Sequence, residues 1–239
     1  VGEPTLPSTI GEQIIVSDDG GQSWTSISLL SLDADLRSIK MIDANTGYTV
    51  GSNGSIWKTT NGGYDWNLYS SPTTEQAFNA VDFYNAQYGM TAGNNGEVWK
   101  TTDGGTTWTS LTGLIPSDYF NGIAMIDSIS ALAIGFSVYK TTDGGSTWAT
   151  LSPTFPDSPP SKIKMFNQTV GVIVGPTGFF GFNPFVYKTT DGGDTWNSMN
   201  FPFATTDKLY NVEFRTADDI VVVGNNGGVF HTSDNGANW

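Results

Sequence analysis

The 239-residue chain contains no cysteine, one histidine and only ten Lys and Arg residues. Without cysteine it has no disulfide, no thiolate metal site and no cysteine nucleophile. The single imidazole, His231, cannot build zinc coordination of the usual kind, so no metal and no cofactor is expected. The ten cations stand against 23 acidic residues and leave a net charge of −13. Such a surface repels a phosphate backbone or an anionic bilayer, which excludes nucleic acid as a partner. No run approaches the ~18 apolar residues of a membrane span, so no direct membrane insertion is expected. No basic-then-apolar leader precedes Val1, and any leader peptide is expected to have been removed already. Charged residues of both signs amount to only 14%, whereas there are 29 Gly and 13% aromatics. That mixture suits many short strands joined by tight turns.

What the chain has instead is a repeat. Six segments fit [ST]-x-[DN]-x-G-x-x-W, ending at Trp24, Trp66, Trp108, Trp148, Trp196 and Trp239. Their acidic or amide positions are Asp19, Asn61, Asp103, Asp143, Asp191 and Asp234. A short polar side chain followed by glycine is turn chemistry: the first bonds backbone N–H groups ahead of it, and glycine supplies positive φ. The flanks, such as Val98-Trp99-Lys100-Thr101, are β-branched and aromatic, as strands require. Each copy therefore reads as a β-hairpin tip pinned by a carboxylate, with a structural Trp beyond it. Burying an indole removes roughly 150–250 Å² from water, on the order of 4–6 kcal/mol as an upper bound.

The motif Trp residues are spaced by 42, 42, 40, 48 and 43 residues. A period near 40–50 in an all-β chain is one propeller blade of four antiparallel strands. Within each period come an alternating strand (39–43, 81–85, 123–127, 163–167, 212–216) and a second strand ending in glycine. An Asn-Gly turn follows in three of the units, a strong hairpin signal. The third strand then runs into the box and the fourth starts at the Trp. The two ends duplicate a third strand rather than meshing. The expectation is a single propeller over 1–239 that continues beyond Trp239, an incomplete part of a six- to eight-bladed ring.

The six boxes resemble the Asp-box, or bacterial neuraminidase, repeat of sialidases, sortilin-type receptors and xyloglucan-cleaving endoglucanases. The full unit, G-Y-x-V-G-x-N-G-x-[IV]-[WY]-K-T-T-[DN]-G-G-x-x-W, is most similar to photosystem II stability/assembly-factor-like propellers. Such repeats also occur in secreted proteins of bacteria that use type IX secretion. The resemblance implies a propeller fold and, through the assembly factors, protein–protein binding. It does not imply one function, because the box is a folding element in each of these families.

Sialidase chemistry, as that family implies it, clamps a carboxylate with three arginines; this chain has two, Arg37 and Arg215. Glycoside hydrolysis needs two carboxyls about 5–10 Å apart. Asp43 and Asp127 share one place in their repeats, but Asn85, Asn167 and Thr216 occupy it elsewhere. Asn cannot replace a catalytic acid, so the position reads as a turn. His231 aligns with Lys58, Lys100, Lys140 and Lys188, read as a solvated or edge position and as neither base nor ligand. One segment departs from the repeat, an insertion at 176–185 carrying Phe179, Phe180, Phe182 and Phe185. It reads either as an exposed contact for a partner or as a loop folded over a blade edge or into the channel. The function expected is a non-catalytic extracellular or cell-surface scaffold, not an enzyme. Its partners would be proteins, surface polysaccharides or further copies of itself. The alternative is a carbohydrate-active propeller module.

Overall fold

The structure, a computed structural model, describes residues 13–28, 35–70, 72, 76–155, 158–176, 184–201 and 208–239. Among these the regular elements are 21 short strands and three single 3-10 turns. A two-stranded ribbon, β1 (Gln13–Val16) and β2 (Thr25–Ser28), comes first. The first blade is β3 (Leu36–Met41), β4 (Gly47–Gly51), β5 (Ile56–Thr59) and β6 (Asn67–Ser70). The second is β7 (Phe78–Phe83), β8 (Gly89–Gly93), β9 (Val98–Thr101) and β10 (Thr109–Ser110). The third is β11 (Gly122–Met125), β12 (Ala131–Ile134), β13 (Ser137–Thr141) and β14 (Ala149–Thr154). The fourth is β15 (Lys162–Met165), β16 (Gly171–Gly175), β17 (Phe185–Thr189) and β18 (Asn197–Ser198). A fifth has three strands, β19 (Leu209–Phe214), β20 (Ile220–Gly224) and β21 (Val229–Thr232).

Every sheet is an antiparallel meander in sequence order. The first strands pack on one another in the series β3, β7, β11, β15, β19, so they are the innermost strands of a β-propeller. The described residues thus form five blades and the ribbon, against an expected ring of six to eight. The first strands begin one to three residues earlier than the alternation predicts and end short of Asp43 and its equivalents.

The core is not one mass but a set of seams between blades. Tyr48, Val50 and Ile56 of the first blade meet Phe78, Val81 and Phe83 of the second. Leu132, Ile134 and Phe155 of the third meet Ile173 and Phe185 of the fourth. Each second strand lies inside its sheet; β4, β8, β12 and β16 are buried at every residue, whereas β20 of the fifth blade is covered only in part. This accounts for near-continuous apolar runs where a one-faced strand would alternate.

The glycine that ends the second strand has a steric reason. A Cβ on Gly51 would stand 2.1 Å from the carbonyl oxygen of Asp35, and one on Gly93 would stand 2.0 Å from that of Ala77. In both blades the register of the first strand shifts opposite this point, and the bulge drives its backbone against the glycine. The turn that follows holds Asn53, Asn95 and Asn226 at φ of 56°, 57° and 53°, a left-handed conformation that Asn tolerates best after glycine.

One box Trp departs from expectation. Trp66 and Trp196 are buried, Trp108, Trp148 and Trp239 partly so, but Trp24 is 58% exposed. Each buried indole fills the seam with the preceding blade, as Trp108 does beside Phe83 and Tyr48. Among the described residues no sheet precedes the β1–β2 ribbon to cover Trp24.

Candidate functional site: box turns, blade clasps and the central channel

The boxes are built alike, and the second blade shows how. Thr101, buried at the end of β9, accepts the N–H of Gly105 at 2.8 Å and that of Asp103 at 3.3 Å. Its hydroxyl donates to Asp103 Oδ1 at 2.8 Å. Asp103 in turn accepts the N–H of Thr107 on Oδ1 (2.9 Å) and the Thr107 hydroxyl on Oδ2 (2.6 Å). The same set recurs at Asp19, Asp143 and Asp191. The hydroxyl and N–H at the seventh position lower each of these three carboxyls to about 2. In the first blade the polarity is reversed: Asn61 Nδ2 donates to Asp65 Oδ2 at 2.7 Å. Asp234 accepts from Asn238 Nδ2 at 2.6 Å. The turn therefore needs one acceptor at the third position and a complementary partner at the seventh, not a carboxylate as such. These side chains are spent on their own turns and stand on separate hairpins.

The box tips are tied to the first turn of the same blade. The N–H groups of Gly62, Gly104, Gly144, Gly192 and Asn235 donate to the carbonyls of Asn45, Gln87, Ile129, Thr169 and Asp218 at 2.7–3.0 Å. In those first turns Asp43 Oδ1 accepts the N–H groups of Asn45 and Thr46, and Asp127 those of Ile129 and Ser130. Asn85 and Asn167 do the same work with an amide oxygen. The Asp/Asn alternation is thus a turn position, as the repeat suggested. The N–H groups of Asn45 and Thr46 hold Asp43 below its ordinary pKa.

The lysine position does not match its reading as solvated. Lys58 and Lys100 donate to the carbonyls of Gly104 (3.4 Å) and Gly144 (2.7 Å), and Lys140 to Asp194 (2.6 Å). Lys188, 7% exposed, donates to the Ala217 carbonyl (2.6 Å), to Asp218 and to Asn235. Each lysine reaches from its own blade to the following one, in three cases into its box and in Lys188 to both its first turn and its box. It is an inter-blade clasp, invisible to a reading of one repeat at a time. Lys58 also lies over the rings of Tyr48 and Tyr69, 5.1 and 4.6 Å from their centroids. His231, at the equivalent place, stays in its own blade and contacts Asp219 at 2.9 Å.

Of the insertion, Phe179, Phe180 and Phe182 lie outside the described residues. Phe185 is corrected: it is buried and stacks on Phe155 with ring centroids 5.0 Å apart. It belongs to the seam between the third and fourth blades because it opens β17 directly beside that core.

The concave feature is the central channel. A cavity of about 390 Å³ opens between β3, β7, β11 and β15, with Tyr84, Phe166, Asn167 and Gln168 of the first turns at its mouth. Its walls mix apolar side chains (Val81, Ile123, Met125, Ile163) with Lys40, Asp82, Lys162 and Lys164. Lys40 pairs with Asp82 at 2.6 Å, and the second Asp82 oxygen accepts the N–H of Met125 at 2.8 Å. One carboxylate thereby ties three inner strands together. Lys164 pairs with Glu213 of β19 at 2.8 Å. Of the charged groups that line the cavity, Asp82, Lys40 and Lys164 are thus ion-paired, and Lys162 is not. Among the described residues no group of three or more His, Asp and Glu converges as a metal site would need.

A family model described as photosynthesis system II assembly factor YCF48 matches residues 17–154. The chain belongs to this family. No curated protein matches it in sequence. Among solved structures it is similar to YCF48 bound to D1 peptide (TM-score 0.60, 19% identity), over 99% of this chain and 85% of that one. It is also similar to the Niastella koreensis GH74 enzyme (TM-score 0.65, 18% identity), over 94% of this chain and 41% of that one. The Xanthomonas campestris GH74 xyloglucanase gives a TM-score of 0.70 at 13% identity, over 97% and 42%. The chain spans about two fifths of these two enzymes. At such identities the structural likenesses establish the fold alone.

Proposed function

We propose that this protein is a non-catalytic binding propeller of the cell exterior or envelope, which holds a segment of a partner protein at the mouth of its central channel. The observation that carries the reading is the cavity itself: a concave, half-apolar site with a few fixed polar groups is where a rigid scaffold takes its ligand. The YCF48 structure, solved with a D1 peptide, supports a peptide as the kind of ligand. The acidity and lack of cysteine fit an exterior setting. Hydrolysis of a glycan would ask for two available carboxyls across the cavity. Its lining acid, Asp82, is engaged by Lys40 and the Met125 N–H, and neighbouring Glu213 by Lys164.

The test is photo-crosslinking in the source cells. A benzophenone side chain placed at Phe166, exposed at the mouth, should trap a discrete protein. The same group at Leu68, exposed on the outer strand β6, should not. Equal crosslinking from both sites, or retention of the protein on xyloglucan with no protein adduct, refutes the reading.

A further inference from the structure

We propose that the central cavity is a carboxylate site, in which Lys162 receives one Asp or Glu side chain from an otherwise neutral or basic protein segment. This rests on the protein-binding reading above and names the chemistry of the contact.

The distribution of cations is the first ground. Four of the ten, Lys58, Lys100, Lys140 and Lys188, are the blade clasps. The other six, Arg37, Lys40, Lys162, Lys164, Lys208 and Arg215, all lie on an inner strand or within one residue of its end. A chain of net charge −13 thus keeps every cation that is not a clasp on or beside the inner strands, with Lys40, Lys164 and Arg215 ion-paired there. Low-dielectric walls around a lined cleft focus their field.

The second ground is the balance inside the cavity. Lys40 is neutralised by Asp82 and Lys164 by Glu213. Lys162 has neither an ion pair nor a hydrogen-bond acceptor among the described residues. One positive charge is left over, half-buried, with three donors unused. Burial, and after it the neighbouring Lys164, depress its pKa below the ordinary lysine value, and the charges of Asp82 and Glu213 only partly offset this. An unpaired, desolvated ammonium is costly, and an arriving carboxylate relieves the cost. The walls of Ile123, Met125 and Ile163 suit the methylenes that carry such a group.

The third ground selects the carrier. A polyanion, whether a uronic-acid polysaccharide or a nucleic acid, meets the repulsion of the whole acidic surface before it reaches the axis. A single carboxylate on a basic segment meets attraction at both ranges, and on an otherwise neutral segment it brings one negative charge past that surface instead of many.

The experiment uses the full chain and its Lys162→Met variant, which keeps the stem and removes the charge. Both are probed with arrays of 12-residue peptides whose random neutral and Lys-bearing flanks surround a central Glu or Gln. The best Glu peptide is then titrated calorimetrically, and the lysine side-chain NMR signals of the wild type are followed. Expected are at least tenfold weaker binding of the Gln partner, loss of that preference in Lys162→Met, and movement of the Lys162 signal on saturation. Unchanged Glu preference in the variant, or a silent Lys162 signal, overturns the site. Saturation of Lys162 by glutarate with no peptide binding keeps the carboxylate site but overturns the protein segment. Lys162-dependent binding of polygalacturonate overturns the carrier. If the crosslinked partner binds Lys162→Met as tightly as wild type, the protein-binding function stands and the channel site falls.

Discussion

Replacing Thr101 by Val is the sharpest test of how the box works. The two side chains are nearly isosteric, and Thr101 is 3% exposed, so packing is conserved while the hydroxyl is lost. That removes the acceptor of the buried Gly105 N–H (2.8 Å), a weaker one from Asp103 (3.3 Å), and the donor to Asp103 Oδ1 (2.8 Å). A buried donor left unsatisfied costs about 1–3 kcal/mol, and each lost bond adds on the order of 1 kcal/mol. The expected loss is therefore ~2–4 kcal/mol. With a urea m-value near 3 kcal/mol/M, the midpoint falls by roughly 1 M. The control is Asp103→Asn, which retains the Oδ1 acceptor and turns an amide towards Thr107, whose hydroxyl can accept. Asn61 and Asp65 already show that this turn closes with an amide at the third position. Asp103→Asn should therefore shift the midpoint far less. Urea melts followed by both Trp fluorescence and far-UV circular dichroism read the result, and their coincidence tests for a single transition. A midpoint for Asp103→Asn as low as for Thr101→Val refutes the reasoning, because the box would then depend on charge. So does a Thr101→Val midpoint within ~0.2 M of wild type.

Two further outcomes follow from the same geometry. Lys188→Met, which strands the Ala217 carbonyl and Asn235 Oδ1, should destabilise by about 1–3 kcal/mol; Lys140→Met, whose partner Asp194 is 64% exposed, should cost ~0–1 kcal/mol. Equal thermal midpoints for the two variants contradict the clasp. Acid should weaken the fold in a defined window: Asp19, Asp143 and Asp191 are lowered from 3.8 to about 2, so the unfolded chain binds more protons between these values. Their stabilisation is present above about pH 4 and lost as pH falls towards 2. Thermal melts from pH 5 to 2 should show it, and Asp143→Asn with Asp191→Asn should flatten the slope.

The fold was legible because a repeat states its local rules six times over. Strand order, the box turn, the terminal glycine of the second strand and the indifference of the Asp43 position to Asp or Asn all follow from short-range sterics and turn chemistry. What could not be read lies between repeats. The alignment put Lys58, Lys100, Lys140 and Lys188 in one column, and a column looks like a surface when each unit is considered alone. Only the packing of one blade on the next shows where the ammonium ends. The burial of Phe185 and the exposure of Trp24 have the same origin, since both depend on whether a neighbouring sheet is there. The unpaired channel lysine was hidden for the opposite reason. Lys164 shares its place with Lys40, but Lys162 recurs in no other blade, where Ser38, Ala80, Gly122 and Asn211 stand instead. The period therefore gave it no weight, yet a binding site on a repeat scaffold is made from the positions that break the pattern.

The clasps also run one way. Each lysine belongs to the earlier blade and its acceptors to the later one, never the reverse. The coupling between neighbours is therefore vectorial. A blade leaving the ribosome carries an ammonium with nothing to hold until the following hairpin has emerged and closed its turn. Since synthesis delivers ~5–20 residues per second, each blade waits a few seconds before it is locked. Growth proceeds from the amino-terminal end, each new turn securing the blade before it, so the newest blade is always the loosest.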